Sequence, residues 1–261
     1  MRLVTWNINS VRLRLPAIAK LVKEENPDVI CLQETKVMDD LFPVADIEAL
    51  GYRHLAYAGM KSYNGVAILS RIPFAKTEAK EWCSKSDCRH VSVTFESGVE
   101  LHNFYVPAGG DVPDPEVNEK FAHKLKFLDE MAAWFSNMRS NPGATILVGD
   151  LNIAPLETDV WSHKQLLKVV SHTAIEVEKL ASVKETLNWV DAIRHFVSEE
   201  EHIYSWWSYR SRDWAASDRG RRLDHVWVTP TLEKDLKSAS ILREARSWEK
   251  PSDHVPVIVQ F

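Results

Sequence analysis

Apolar and polar positions run through this chain in short blocks whose period keeps changing. Residues 2–8, RLVTWNI, read as a strand, and residues 15–26, LPAIAKLVKEEN, as a helix stopped by Pro27 after Asn26. Residues 28–34, DVICLQE, predict a second strand, and 44–50, VADIEAL, a short helix closed by Gly51. Strands are expected at 52–58, 65–70, 89–97 and 100–107, between Gly, Pro and Ser punctuation. From 117 to 138, Val117, Phe121, Leu125, Leu128, Met131, Phe135 and Met138 recur every three or four positions. That is the stripe of a long amphipathic helix, with His123 and Lys124 off the stripe and expected in solvent. A strand is predicted at 144–152, a mostly helical and irregular stretch at 159–197, and strands at 202–209, 222–230, 238–245 and 255–261.

Strands adjacent in sequence at 52–70 and 90–106 have no helix between them, whereas others are separated by helices. A simple doubly wound parallel sheet does not accommodate this mixture. Two sheets packed together with helices outside do. Apolar strands at both ends, with no linker or repeat between, predict one domain over residues 1–261. Hydrophobic residues at 45% and charged residues at 26% support a large core. Three cysteines without a regular spacing argue against a disulfide scaffold or a zinc site, and Cys31 is expected in the core. With no apolar signal region in MRLVTWNINS and no membrane-length run, a reducing cytoplasm is expected. The net charge of −5 disfavours a generic nucleic-acid binder, although a local basic patch on an acidic body still holds phosphates.

The apolar runs end oddly. Side chains two apart on a strand share a face. TWNIN therefore sets Asn7 and Asn9 together, and VGDLN sets Asp150 and Asn152 together. CLQETK ends on Gln33–Glu34, NFYVPAGG delivers Tyr105 before a Pro/Gly turn, RRLDHV places Asp224 in an apolar strand, and PSDHVPV puts Asp253–His254 before one. Each has a bland reading alone: a turn, a cap, or Asp224 paired with an arginine at 219, 221 or 222. Together they supply an oxygen-rich donor set suited to Mg²⁺ or Mn²⁺, whose carboxylates repel one another unless a cation is present. An imidazole beside carboxylates can be held charged and oriented, and a tyrosine adds a hydroxyl. This is equipment for metal-assisted hydrolysis of a phosphate ester.

In chain order, TWNINSVR, QETK, NGVAILS, YVPAGG, GDLNIAP, SWWSYR, RLDHV and SDHVPV resemble the exonuclease III family of apurinic/apyrimidinic endonucleases, over nearly the whole chain. The resemblance implies a deoxyribonuclease I-like four-layer α/β sandwich, with two mixed sheets face to face and helices on both outer sides. It implies cleavage of DNA on the 5′ side of an abasic site, with 3′→5′ exonuclease and 3′-phosphatase or phosphodiesterase activity. Glu34 is then the principal metal ligand. Asn7 and Asp253 help hold the ion, and Asp150, Asn152 and His254 stand close to it. The ion is Mg²⁺, with Mn²⁺ able to substitute. Asp150 deprotonates the attacking water, Asn152 holds that water or a phosphate oxygen, and His254, fixed by Asp224, meets the phosphate. Tyr105 lies near the phosphate or the leaving oxygen. The partner is double-stranded DNA with abasic sites or blocked 3′ ends, bound by a monomer with no membrane association.

Residues 204–224, YSWWSYRSRDWAASDRGRRLD, interleave arginines with aromatics and form the expected DNA face. Strand alternation puts one of Trp206 and Trp207 in the core. By resemblance, Trp206 and Leu223 line the pocket for the baseless sugar. Arg210, Arg212, Arg221 and Arg89 complete the DNA contacts. The chain departs from eukaryotic relatives at Ala108, where they carry Asn, and at Arg221, where they carry Trp; a phosphate contact and a pocket wall change accordingly. Two rival readings are a phosphodiesterase of the same fold acting on inositol phosphates, sphingomyelin or RNA tails, and a DNA-binding protein whose site has decayed.

Overall fold

The computed structural model describes residues 1–138, 142–211 and 213–261. Its strands are β1 (Arg2–Asn7), β2 (Val29–Gln33), β3 (His54–Met60), β4 (Tyr63–Ser70), β5 (Phe74–Ala79), β6 (His90–Phe95) and β7 (Glu100–Tyr105). They continue with β8 (Thr145–Asp150), β9 (Val190–Asp191), β10 (Trp206–Trp207), β11 (Gly220–Arg221), β12 (Asp224–Val228), β13 (Ser238–Ile241) and β14 (Val257–Gln260). One six-stranded sheet has the order β13-β14-β1-β2-β4-β3, the other β5-β6-β7-β8-β12-β9, and β10 and β11 form a separate ribbon. Both large sheets are mixed: β1–β2 and β7–β8 run parallel, whereas β1–β14 and β8–β12 run antiparallel.

Strand alternation sorts the core into three apolar layers. Leu3, Val29, Cys31, Val66 and Ile68 of the first sheet face Val91, Val93, Leu101, Ile146, Val148 and Val226 of the second. The other face of the first sheet, through Val4, Trp6, Ile30 and Leu32, packs on Ala17, Ile18 and Leu21 of the helix Leu15–Glu25. The outer face of the second sheet, through Phe104, Leu147 and Trp227, packs on Phe127, Leu128, Met131 and Phe135 of the helix Glu119–Asn137. Leu180 and Val183 of the helix Ala174–Thr186 join them. Helix, sheet, sheet, helix: the expected four-layer deoxyribonuclease I-like sandwich is present.

At one end, the inter-sheet layer turns polar. The face that carries Leu3 continues through Thr5 to Asn7, that of Cys31 to Gln33, that of Leu101 through Asn103 to Tyr105, and that of Val148 to Asp150. Thr5, Asn7, Gln33 and Asn103 are fully buried. Gln33 Nε2 donates to Thr5 Oγ1 at 2.9 Å and Asn103 Oδ1 at 2.6 Å. Asn103 Nδ2 donates to the carbonyls of Leu32 at 2.9 Å and Ala67 at 3.0 Å, which stitches the sheets together beneath the site.

Several expected boundaries shift. The strand expected at 202–209 is only Trp206–Trp207, and that at 238–245 ends at Ile241 and passes into a 3₁₀ turn at Arg243–Ser247. The unpredicted β5 is an edge strand exposed on both faces, so it carries no alternation to read. The long helix starts at Glu119, capped by Asn118, whose side chain accepts from the Lys120 amide; Val117 precedes it and is exposed. Lys124 is not solvated, as expected, but fully buried, and the His123 side chain is only 11% exposed. The second outer helix covers the position where Lys124 sits. Cys31 is in the core and all three cysteines are free.

Candidate active site

Backbone register brings the polar strand ends together. Asp224 of β12 lies directly opposite Asp150 of β8, and Tyr105 of β7 is paired with Asp150 on its other side. Two carboxylates in cross-strand positions repel. His254 relieves them: Nδ1 bonds Asp224 Oδ2 at 2.8 Å and Nε2 stands 3.6 Å from Asp150 Oδ2. The first sheet answers across the seam. Asn7 Nδ2 donates to Asp150 Oδ2 and to Glu34 Oε1, both at 2.9 Å, and the Tyr105 hydroxyl donates to the same Glu34 oxygen at 2.9 Å. Glu34 Oε2 takes Lys36 Nζ at 2.7 Å. Glu34, Lys36, Asn9 and Asn152 all have left-handed backbone, with φ of 52°, 53°, 46° and 55°. L residues with side chains adopt that conformation at a cost, and it gathers at functional loops.

Asp253 joins from one step away. Its Oδ1 takes Asn9 Nδ2 at 3.1 Å and its Oδ2 takes Trp206 Nε1 at 3.0 Å, while Asn9 Oδ1 takes Lys36 Nζ at 2.6 Å. Asn152 Nδ2 donates to the Val106 carbonyl at 2.9 Å. Ser205 accounts for Asp224: its hydroxyl donates to Asp224 Oδ2 at 2.6 Å and accepts the amides of Leu223 and Asp224 at 3.0 and 3.1 Å. Asp224 therefore pairs with His254, not with a neighbouring arginine. Arg222 turns the other way, onto Asp159 and Asp191.

The electrostatics follow from this crowding. Burial pushes the Asp150 carboxyl up to about 7, His254 opposes it, and Asp224 and Glu34 add to it. Burial works against the charged form of His254, but Asp224 and Asp150 on either side lift it to about 10. Burial would also raise Glu34, yet Lys36 and the Asn7 amide more than offset this and hold it below the usual carboxylate range. Burial and the adjacent Glu34 and Asp150 carboxylates keep the Tyr105 phenol protonated far up the pH scale.

The donors suit a hard cation. One atom each from Asp150, Asp224 and His254 lies within 4.8 Å of the others, and Asp224 Oδ1 is buried with no partner among the described residues. Glu34, one Asn7 bond away, is paired with Lys36. Carboxylate and amide oxygens of this kind match Mg²⁺ or Mn²⁺ rather than a soft metal. Glu34, Asn7, Asp150 and Asn152 could hold such an ion with Asp253 behind them.

Above this floor opens a cleft of about 860 Å³, lined by Glu34, Tyr105, Asn152, His254, Trp206 and Leu223 among others. Trp206 faces the cleft while Trp207 is core, as alternation requires. Arg210 and Arg219 line the same cleft. Arg221 is less free than expected. Its Nη1 donates to the Val170 carbonyl at 2.9 Å and Ser171 Oγ at 2.7 Å, and its guanidinium lies 5.2 Å from the centre of the Trp206 ring. It braces one pocket wall. Arg89 is engaged too, with Nε 2.5 Å from Asp87 Oδ2 and its guanidinium 4.9 Å from the Tyr105 ring centre. It lines an adjoining groove with Lys36, Lys85 and Lys120. Arg212 lies outside the described residues.

Sequence reasoning missed Lys36, Ser205 and Lys124, and placed Asn9 beside Asn7 without giving it a role. QETK contained Lys36 and TWNIN contained Asn9, so the quoted segments held the signal. Ser205 and Lys124 act through partners 19 and 28 residues away, respectively, which no local pattern reports.

The model of the Endonuclease/Exonuclease/phosphatase family matches residues 4–254 of the chain. Exodeoxyribonuclease III of Haemophilus influenzae is 28% identical over 100% of both chains, and an exodeoxyribonuclease of Bacillus subtilis is 29% identical over 98% of both. Two solved structures, a 3′–5′ exonuclease from Neisseria meningitidis and an AP endonuclease from Archaeoglobus fulgidus, each match with a TM-score of 0.91 and 30% identity. Each match covers 100% of this chain and 99% of the other. Helix, sheet and site thus converge with the comparisons: this chain belongs to the endonuclease/exonuclease/phosphatase family.

Proposed function

We propose that the protein is a DNA-repair phosphodiesterase of one catalytic domain. It cleaves double-stranded DNA 5′ to abasic sites, and trims or unblocks 3′ ends as a 3′→5′ exonuclease and 3′-phosphatase, using Mg²⁺ with Mn²⁺ as a substitute. It acts as a cytoplasmic monomer. The observation that carries this reading is the seam itself: Glu34 and Asn7 from one sheet meet Tyr105, Asp150 and Asp224 from the other, with His254 between, at the floor of a cleft rich in arginine and aromatic residues. Relatives named exodeoxyribonuclease III and AP endonuclease support it, as does a Neisseria 3′ phosphatase solved with a product DNA hairpin.

A bound divalent ion supplies charge neutralisation at the phosphate. The remaining chemistry falls to the chain. Asp150, raised toward neutrality, accepts a proton from the attacking water. Asn152 holds that water or a phosphate oxygen. His254, kept protonated by Asp224, offers Nε2–H to the phosphate as negative charge builds. Tyr105 keeps its proton near the leaving oxygen. Trp206 and Leu223 line the pocket for a baseless sugar, which turns out of the helix at low cost because no base pair is lost. Arg210, with Arg212 in the same segment, meets backbone phosphates.

The test is nicking of a duplex that holds one abasic analogue. Mg²⁺-dependent incision on its 5′ side, abolished by EDTA and lost in Glu34→Ala, is expected. Release of phosphate from a phosphoinositide without DNA nicking would overturn the reading.

A further inference from the structure

The loop after β8 is held by its carbonyls. Lys124 Nζ donates to the Asn152 carbonyl at 2.8 Å, His225 Nε2 to that of Ile153 at 2.8 Å, and His172 Nδ1 to that of Ala154 at 2.6 Å. Three consecutive carbonyls each take a donor from a different part of the chain, and all three donor residues are buried. None of them belongs to the chemistry assigned above. The two imidazoles must donate, because a carbonyl only accepts. They fix the far part of the loop; in the nearer part Asn152, at φ 55°, bonds Asp150 Oδ1 through its amide at 2.9 Å and Val106 through its side chain, and Lys124 holds its carbonyl.

Lys124 is itself fully committed. Its ammonium has three protons. They go to the Asn152 carbonyl, to the Ala108 carbonyl at 3.3 Å, and to Glu176 Oε1 at 2.5 Å. Both members of that ion pair are fully buried. Glu176 in turn accepts the amides of Ser171 at 2.9 Å and Thr173 at 3.1 Å, and the Thr173 hydroxyl at 2.7 Å. The pair therefore ties together the Ala108 segment, the Asn152 loop and the Ser171 wall. All three border the cleft. Gly109 leaves room for it, since a Cβ there would stand 2.9 Å from Lys124 Cδ.

We propose that Lys124 is a positioning residue: from beneath the cleft it sets the backbone, and hence the amide, of Asn152, and through Glu176 it locks the pocket wall to the reacting end. This rests on the nuclease reading of the site. A buried ion pair contributes little net stability but is costly to break by removing one partner. Position and stability can therefore be separated.

The experiment compares Lys124→Met, Glu176→Gln, Lys124→Met/Glu176→Gln, Asn152→Ala and Lys124→Met/Asn152→Ala on the abasic-analogue duplex with Mg²⁺. Lys124→Met lowers kcat by about 100-fold with KM nearly unchanged, the scale of a small misplacement of a reacting group. It also lowers Tm, because the Glu176 carboxylate is left unpaired. Adding Glu176→Gln, which keeps a carbonyl acceptor for Ser171 and Thr173, restores most of the Tm but not kcat. Lys124→Met adds little to the loss caused by Asn152→Ala. Recovery of kcat together with Tm, or losses that multiply, would overturn the proposal; a merely structural lysine gives both. Should Lys124→Met alone fail to fold, the double variant carries the test. Should the wild-type protein not cut DNA, the nuclease reading falls by itself. The positioning role is then read from the Asn152 side-chain amide resonance: a shift in the double variant against Glu176→Gln supports it, and identical spectra refute it.

Discussion

Asp224 uses one carboxylate oxygen twice: Oδ2 takes the Ser205 hydroxyl and the His254 ring, while Oδ1 is buried without a partner among the described residues. That single atom fixes which imidazole nitrogen faces the phosphate. Asp224→Asn keeps the shape but lacks the charge that holds the proton on His254. Single-turnover cleavage should fall by at least about 100-fold, the usual contribution of a positioned acid or base, while gel-shift binding of abasic DNA stays near normal. Asp150→Asn should abolish turnover and also leave binding intact; near-normal turnover in that variant would remove Asp150 from its role. Glu34, Asp150, Asn152 and His254 were legible because each interrupts an apolar run, and a charge at the end of a core strand demands a reason. Lys124 was not. Helical period tells which face a residue occupies, not whether a second helix lies over that face.

At the scale of elements, β8 shows how a strand aims a side chain. Gly149 has φ 139°, and a Cβ there would stand 1.9 Å from the Phe104 carbonyl oxygen of β7. Only glycine lets the two backbones approach closely enough for Tyr105 and Asp150 to pair. Gly149→Ala should cost at least about 2 kcal/mol, measured by urea unfolding, and should reduce kcat in whatever fraction still folds. A variant as stable as the wild type would contradict this geometry. The strand expected at 144–152 runs straight through Gly149, although a glycine there also fits a turn. The same limit explains the overextended strand at 202–209: two tryptophans in a row resemble a strand, but β10 pairs for only two residues before the chain turns into the cleft wall. Strands with one buried face announced themselves; those defined by a groove rather than a core did not.

For the molecule as a whole, a second buried charge cluster is structural. Arg222 bonds Asp159 at 2.7 and 3.0 Å and Asp191 at 2.7 Å, and Arg194 adds a 2.6 Å contact to Asp159. Burial would raise Asp191, but Arg222 and His225 hold it at about 2, and Asp159 is lowered likewise by Arg222 and Arg194. A carboxyl whose folded value lies below its unfolded one stabilises fully above the unfolded value, and that stability disappears as pH falls toward the folded one. Asp191 alone should forfeit about 2 kcal/mol between roughly pH 4 and pH 2. His225, held down to about 4 by burial and Arg222, forfeits at least as much, about 3 kcal/mol, between pH 6.5 and 4, because the unfolded chain gains its proton first. Denaturant titrations at pH 7, 5 and 3 should show a decline that begins below pH 6.5 and steepens below pH 5 as the carboxylates join it; a flat range would show that the cluster is not buried in solution. On an acidic chain this cluster keeps its arginine out of the cleft, so the basic lining comes from Arg210, Arg219 and the lysines of the adjoining groove.

The reacting groups are shared between two sheets, and few direct bonds cross between them: the Asn7 amide and the Tyr105 hydroxyl at the site, and the Gln33 and Asn103 amides just beneath it. Distances between opposing groups are thus gauged by the thickness of the apolar filling below, much as jaws are set by the spacer between them. Val148, Cys31 and Val66 never approach a phosphate, yet the methyls and the thiol they carry help set how wide those jaws stand. Warming that merely loosens the filling would open the grip and blunt cutting well before the strands themselves come apart.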